Sequence, residues 1–327
     1  MRIGTVLILV AIAPGALAWE GKGHEQIADI AWVKLNPKAK RAVARMLLAG
    51  DPKFRPEAPR DETLTDRYLE SQVRPAFRRA AVWPDVIKGD TSEQYEAWIN
   101  DLNAKSPGVR PTADPFQRGT EENRLKTWHY LDVPLFYTGA GQAPPPRPSN
   151  ADYALRQVER GLRDSVRKKD DRAGAFWIYW ANHVIGDIHQ PLHCAEHFGP
   201  EFLPGGDDGG NGFQIRTTRD GNPTRLHGYW DGGIRRAIET DGEPGPEAIT
   251  EKWLRETSVN PREATSIRWM DVIRRGSELA RDEVYRGLTQ GAVVPPDYRT
   301  RMEVLSRRMA VLGGIRLATF LNRELGK

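Results

Sequence analysis

The chain has one cysteine, Cys194, in 327 residues. An intramolecular disulfide is therefore excluded, and the fold must rest on packing and on any metal it holds. There is no Asn-x-Ser/Thr glycan acceptor, because Asn222 is followed by Pro223. No apolar run reaches the ~20 residues that a membrane-spanning helix needs. Strand-like alternation is scarce, at most Phe213 to Thr217, so a sheet-built fold is not expected. Charge is nearly balanced, with 48 basic against 44 acidic residues, and so marks no partner by itself. Histidine is also sparse: seven in all, none beyond His227.

What is present is a large supply of core-forming side chains. Apolar residues make up 39%, with ten Trp, nine Tyr and nine Phe, enough for one sizeable core or two ordinary ones. Residues 1–18 read as a signal peptide. Arg2 gives a positive start, Thr5 to Ile12 is mostly apolar, and Ala16-Leu17-Ala18 is a small-x-small cleavage site. Cleavage leaves Trp19 as the first residue of a single domain, 19–327. Removing Arg2 leaves 47 basic against 44 acidic residues, a net charge of about +3. The expected location is secreted or periplasmic, and an exported chain without disulfides or glycan acceptors suits a bacterial source better than a eukaryotic one.

The rest reads as mostly α. Ile27, Ile30, Ala31, Val33 and Leu35 form an apolar stripe behind His24, and Asn36-Pro37 interrupts it. Helices are expected over Ala39–Leu48, Asp61–Ala81 and Asp152–Lys168, the last with Tyr153, Leu155, Val158, Leu162 and Val166 inward. Val82-Trp83-Pro84-Asp85 reads as a turn presenting a carboxylate. Ser106–Thr120 and Gly199–Gly212 read as loops, and Gly139–Pro148 as a surface linker. A C-terminal helix carries Met302, Leu305, Met309, Leu312 and Ile315.

The chain is arranged around Arg172 to Cys194, RAGAFWIYWANHVIGDIHQPLHC. Phe176 to Trp180 are all aromatic or aliphatic, and a helix hydrophobic nearly all round is a buried one. Its second half carries His183, Asp187, His189 and His193. His183 and Asp187 are four apart and share a face. A charge on a buried helix is costly unless paired or bound to metal. Pro191 then bends or ends the helix, which re-aims His193 towards the same space. A single buried histidine is more often a hydrogen-bonded core residue. Here, however, His24, His129, His197 and His227 each lie near a carboxylate or in these same segments, and His227 and Asp231 repeat the four-residue spacing. Imidazole and carboxylate without thiolate suit catalytic zinc, and the ligands exceed what one tetrahedral ion uses.

These residues resemble the single-strand-specific, trinuclear-zinc nucleases of fungi and plants, the S-one and P-one type. The resemblance runs through Trp19, Gly23-His24, Trp83-Pro84-Asp85 and Trp128-His129-Tyr130-Leu131-Asp132. It continues through His183-x3-Asp187-x-His189-Gln190-Pro191-Leu192-His193, Asp208-Gly209-Gly210-Asn211 and Leu226-His227-x3-Asp231. It implies an all-α, single-domain fold, like that of zinc-dependent phospholipase C, with three zinc ions in one cleft. The first zinc takes Asp85, His129, His183 and Asp187, and the second takes His193, His227 and Asp231. The third takes the amino nitrogen and carbonyl of Trp19, with His24 and the other oxygen of Asp187. Asp85 orients the attacking water, while Lys88 and Asn211 contact phosphate. Tyr130 lies near the base, Asp132 matches a supporting carboxylate on the substrate side, and His189 orients a ligand. The implied activity is endonucleolytic cleavage of single-stranded DNA and RNA to 5′-phosphorylated products, with 3′-mononucleotides as further substrates. A monomer without stable membrane association is expected.

Two other readings compete. Zinc-dependent phospholipases C share the cluster, but the last ligand of their second zinc is usually Glu, whereas this chain has Asp231. A non-catalytic zinc-binding export protein would have no use for Lys88 and Asn211. The segment Cys194–Asp207, with His197 and the Phe198/Phe202 pair, reads as an ordinary surface loop. No second aromatic to clamp a base can be mapped.

Overall fold

The computed structural model describes residues 19–59, 61, 63–89, 100–102, 104–106, 125–136 and 143–327. The signal segment 1–18, most of the Ser106–Thr120 stretch and residues 139–142 of Gly139–Pro148 lie outside the described residues.

The described fold is helical, with four strands of two or three residues each. The central helix spans Asp171–Asp187 and is buried at every position from Ala173 to Asp187. Asp170 starts it, its carboxylate accepting the Ala173 N–H, which satisfies one of the orphan donors of a helix start. Around it pack the helices Gly21–Lys34, Pro37–Leu48, Ala151–Lys168 and Tyr298–Leu325. Helix Ala151–Lys168 meets it closely at Gly161, where a Cβ would stand 2.0 Å from the Trp177 ring. None of the helices described is long and apolar enough to cross a membrane.

Several local expectations shift. The Asp61–Ala81 region becomes regular only at Asp66, and runs through a wide turn at Leu69–Val73 into helix Arg74–Ala80. Trp83–Gly89 is a short helix rather than a turn. Pro84 in its first turn forfeits no helical hydrogen bond, because N–H groups there have no partner within the helix. Val166 is 41% exposed and does not face the core. The C-terminal helix buries Met302, Met309 and Leu312, while Leu305 and Ile315 are partly buried.

Four tryptophans explain how distant segments reach one place. Trp19 donates its indole N–H to Gly186 O, in the last turn of the central helix, at 3.0 Å. Trp83 packs against Tyr179 and Phe176 of that helix, with ring centroids 5.2 and 6.0 Å away. Trp128 meets Trp180 edge-on at 4.8 Å. Trp230 donates to the Tyr298 hydroxyl at 2.8 Å. Each is at most 1% exposed, and each precedes a site residue by one to five positions (His24, Asp85, His129 and Asp231). Aromatic burial of this size anchors the segment, and the polar residue behind it follows.

Candidate metal centre

Three groups of side chains converge, the first two sharing His183: His24 with Asp85 and His183, His129 with His183 and Asp187, and His193 with His227 and Asp231. Within each, one ligand atom per residue lies within 4.8 Å of the others, and all are buried. In the first half of the site, His183 Nε2 stands 2.9 Å from His129 Nδ1, 3.2 Å from Asp187 Oδ2 and 3.6 Å from Asp85 Oδ1. His129 Nδ1 is 3.1 Å from Asp187 Oδ2 and 3.9 Å from Asp85 Oδ1. Four donors placed tetrahedrally about 2.0–2.1 Å from an ion sit about 3.3 Å from one another. The observed spacings bracket that value. In the second half, His227 Nε2 is 3.5 Å from Asp231 Oδ2, and His193 Nε2 is 3.9 Å from Asp231 Oδ1.

Asp187 faces two ways. Its Oδ2 points at His129 and His183, while Oδ1 lies 3.3 Å from His24 Nε2. The His24 ring stacks on His183, centroids 4.0 Å apart.

Backbone carbonyls fix which nitrogen each ring offers. Ala81 O takes the Nδ1 proton of His183 at 2.7 Å, His129 O that of His193 at 2.8 Å, and Gly209 O that of His227 at 2.7 Å. Each leaves Nε2 with its lone pair turned to the cluster, the second-layer arrangement of metal-binding imidazoles. The site holds buried atoms that make no hydrogen bond among the described residues, including His24 Nε2, His193 Nε2, Asp187 Oδ1 and Asp231 Oδ2. Each such atom costs about 1–3 kcal/mol if left unmet. The donor set therefore fits bound divalent cations.

The electrostatics agree at His129 and His193, whereas at His183 burial is outweighed by the Asp187 and Asp85 carboxylates, which hold the ring above its ordinary value. Burial, with the charge of Lys88 adding to it, lowers the His129 imidazole to about 4. Burial lowers His193 to about 3, so both rings stay neutral and ready to ligate. Burial alone would raise Asp85, but the neighbouring His183 and Lys88 outweigh it and hold the carboxyl at about 2. Lys88 Nζ lies 3.0 Å from Asp85 Oδ1, and its charge reaches His129, His193, His227 and Asp231.

Asn211 ends a turn in which Asp208, Gly209 and Gly210 have φ of 54°, 59° and 87°, a left-handed run that glycine accepts readily. Its amide donates to Asp208 O at 2.9 Å, and Gly209 of the same turn holds His227. Tyr130 and Asp132 stand beside this centre rather than in it. Asp132 keeps acidic company: burial, then Glu196 and Asp208, push it up to about 8. Glu196 is pushed up to about 7 by burial and by Asp207 and Asp208.

His189 orients no ligand. Its Nδ1 bonds Ile185 O at 2.6 Å and its Nε2 meets Arg316 at 2.6 Å, tying the end of the central helix to the C-terminal one. Gln190 instead holds a candidate ligand, donating to Asp231 Oδ1 at 2.9 Å while accepting from Leu192 N–H at 2.7 Å. Nothing in the sequence separates these two neighbours except their place inside the His189–His193 run. The segment Cys194–Asp207 is no plain surface loop either. Phe198 and Asp207 are 2% and 1% exposed, and β2 (Ala195–His197) pairs in parallel with β1 (Val133–Leu135).

An all-α scaffold that gathers imidazoles and carboxylates into one buried centre defines a helical metal-site protein. The chain belongs to the S1/P1 nuclease family, which residues 19–326 match, and it is a nuclease, a hydrolase of phosphodiester bonds. Endonuclease 4 of Arabidopsis thaliana is 32% identical over 345 residues, covering 97% of this chain and 93% of the relative. Endonuclease 2 of the same plant is 24% identical over 349 residues, covering 100% and 97%. Nuclease S1 of Aspergillus oryzae is 27% identical over 154 residues, 44% of each chain.

Proposed function

We propose that this chain is an exported, zinc-dependent endonuclease that cuts single-stranded DNA and RNA to 5′-phosphorylated products and also accepts 3′-mononucleotides. The observation that carries the reading is Asp187, whose two oxygens face separate donor groups, as a carboxylate shared between ions must. Asp85, His129, His183 and Asp187 hold the first zinc. His193, His227 and Asp231 hold the second. His24, the other oxygen of Asp187 and the free N-terminus of Trp19 hold the third. Support for the last comes from Glu20, whose N–H donates to Asp231 O at 3.1 Å, and from the Trp19 indole on Gly186. Bound zinc supplies a Lewis acid and brings the pKa of water near neutrality.

The chain's own residues do the rest. Asp85, held ionised, accepts a hydrogen bond from the attacking water and aims it. Lys88 Nζ and the Asn211 amide donate to the non-bridging phosphate oxygens as these gain charge. Tyr130 offers a ring on which a splayed base stacks, which a duplex does not permit. Export is supported by the signal-like segment 1–18, whose removal also frees the Trp19 amine.

The test is the purified chain beginning at Trp19, given single-stranded DNA, RNA, 3′-AMP and phosphatidylcholine side by side, with chelator and with zinc restored. Expected are 5′-phosphorylated nucleic-acid products that vanish on chelation and return with zinc. Products ending in 3′-phosphate, or full activity after exhaustive chelation, would refute the reading.

A further inference from the structure

The two strands that leave the metal centre end on aromatic rings that the reaction above does not use. β1 follows His129, β2 follows His193, and the ladder pairs Leu135 with His197. Just beyond it, Phe136 has φ +57° and is 43% exposed. A single exposed phenylalanine needs no explanation. A left-handed backbone at a bulky residue does, because such strain persists only where the surroundings enforce it.

Those surroundings are a cluster of tilted and edge-on rings. The Phe136 centroid lies 4.7 Å from that of His197 and 6.1 Å from that of Tyr285. His197 is in turn 4.9 Å from Tyr285 and 5.2 Å from Phe202. One buried carboxylate fastens the cluster. Asp207 accepts the His197 backbone N–H at 2.9 Å with one oxygen and the Tyr285 hydroxyl at 2.6 Å with the other. The residues that follow Asp207 form the left-handed turn that carries Asn211 and holds His227 through Gly209 O. Both strands and this turn therefore tie the rings to the metal centre.

We propose that Phe136, seated on His197, is a second base-stacking position, filled by an unstacked nucleobase of the same single strand near the scissile phosphate. This inference rests on the nuclease reading above. His197 is four residues from His193, at most about 14 Å of extended chain, so a strand bound at the centre reaches the ring within a few nucleotides. Tyr130 stands before β1 and Phe136 after it, so the two rings flank one strand. A ring face stacks on any base, which gives affinity without sequence preference.

The test compares the metal-loaded chain with Phe136→Ala, Phe136→Leu and Phe136→Trp, each on a short single-stranded oligonucleotide and on a dinucleotide. The readout is the ratio of kcat/KM between the two substrates, with melting curve and zinc content measured for every variant. The ratio should fall about five- to a hundredfold in the Ala and Leu variants, as loss of one stacked base implies, and stay near wild type in the Trp variant. A ratio identical in all four chains overturns the inference alone. So does a Trp variant that falls as far as Ala, which would mark a packing role or a docking surface for another protein. A wild-type chain that cuts neither substrate removes the nuclease reading and this inference together.

Discussion

Asp187→Asn removes one charge and one acceptor from a side chain that has an oxygen turned to each of two donor groups. More than one metal ion per chain should be lost. The melting temperature should fall as well, since metal binding is linked to folding. Metal analysis and calorimetry check this, and a variant that keeps both the full metal content and the wild-type melting curve would contradict the sharing. Lys88 and Asn211 are different in kind, because neither occupies one of the converging donor groups. Lys88→Ala and Asn211→Ala should each slow cleavage of single strands by roughly ten- to a thousandfold at unchanged metal content. Unaltered turnover would show that the phosphate donors are other residues.

The central helix turns spacing into geometry, and Gly186 shows how little room it leaves. A Cβ there would stand 2.8 Å from His24 Nδ1. Alanine is the better helix former by about 1 kcal/mol, so on propensity alone Gly186→Ala should stabilise. It should instead displace His24 and cut activity by on the order of a hundredfold with the helix intact by circular dichroism. Wild-type turnover in this variant would mean that the His24 ring is free to move. Much of this element was legible beforehand: the four-residue spacing of His183 and Asp187, the aromatic first half and the stop before Pro191 follow from helical period and proline chemistry. Asp85 was legible as a site residue but not as helical, because a proline reads as a turn until its place in the first turn is known. The roles of His189 and Gln190 were not legible. They depend on Arg316 and Asp231, 127 and 41 positions away. The same holds for the ring cluster around Phe136 and His197, whose fastening joins Asp207 to Tyr285 across 78 positions.

At the scale of the whole molecule, four buried tryptophans dock separate segments so that their polar neighbours meet, and one protonation equilibrium reports on the finished fold. Asp132 and Glu196 are raised to about 8 and about 7, so the folded chain holds protons that the unfolded chain releases. Their stabilising contribution is complete below about pH 4 and is lost as the pH rises through 7 to 8, by at most about 1.4 kcal/mol per pH unit for each group. Asp132→Asn should therefore gain in melting temperature on wild type between about pH 5 and about pH 8.5; a gap that does not change with pH would contradict the half-buried acidic pair. In the proposed centre, the third zinc depends on a free N-terminus at Trp19. A free α-amine has a pKa of about 8 and yields its proton to zinc at little cost near neutrality. An internal amide nitrogen is a poor ligand because its lone pair is delocalised. One added residue moves the amine by about 3.8 Å, beyond a zinc bond of about 2 Å. The most direct measurement is thus zinc per chain, together with turnover on single-stranded DNA, for matched proteins beginning at Trp19 and one residue earlier. Three zinc ions and full activity in the first, with two and little activity in the second, is the predicted result. Equal zinc and equal rates in both would contradict a centre completed by the N-terminus of Trp19.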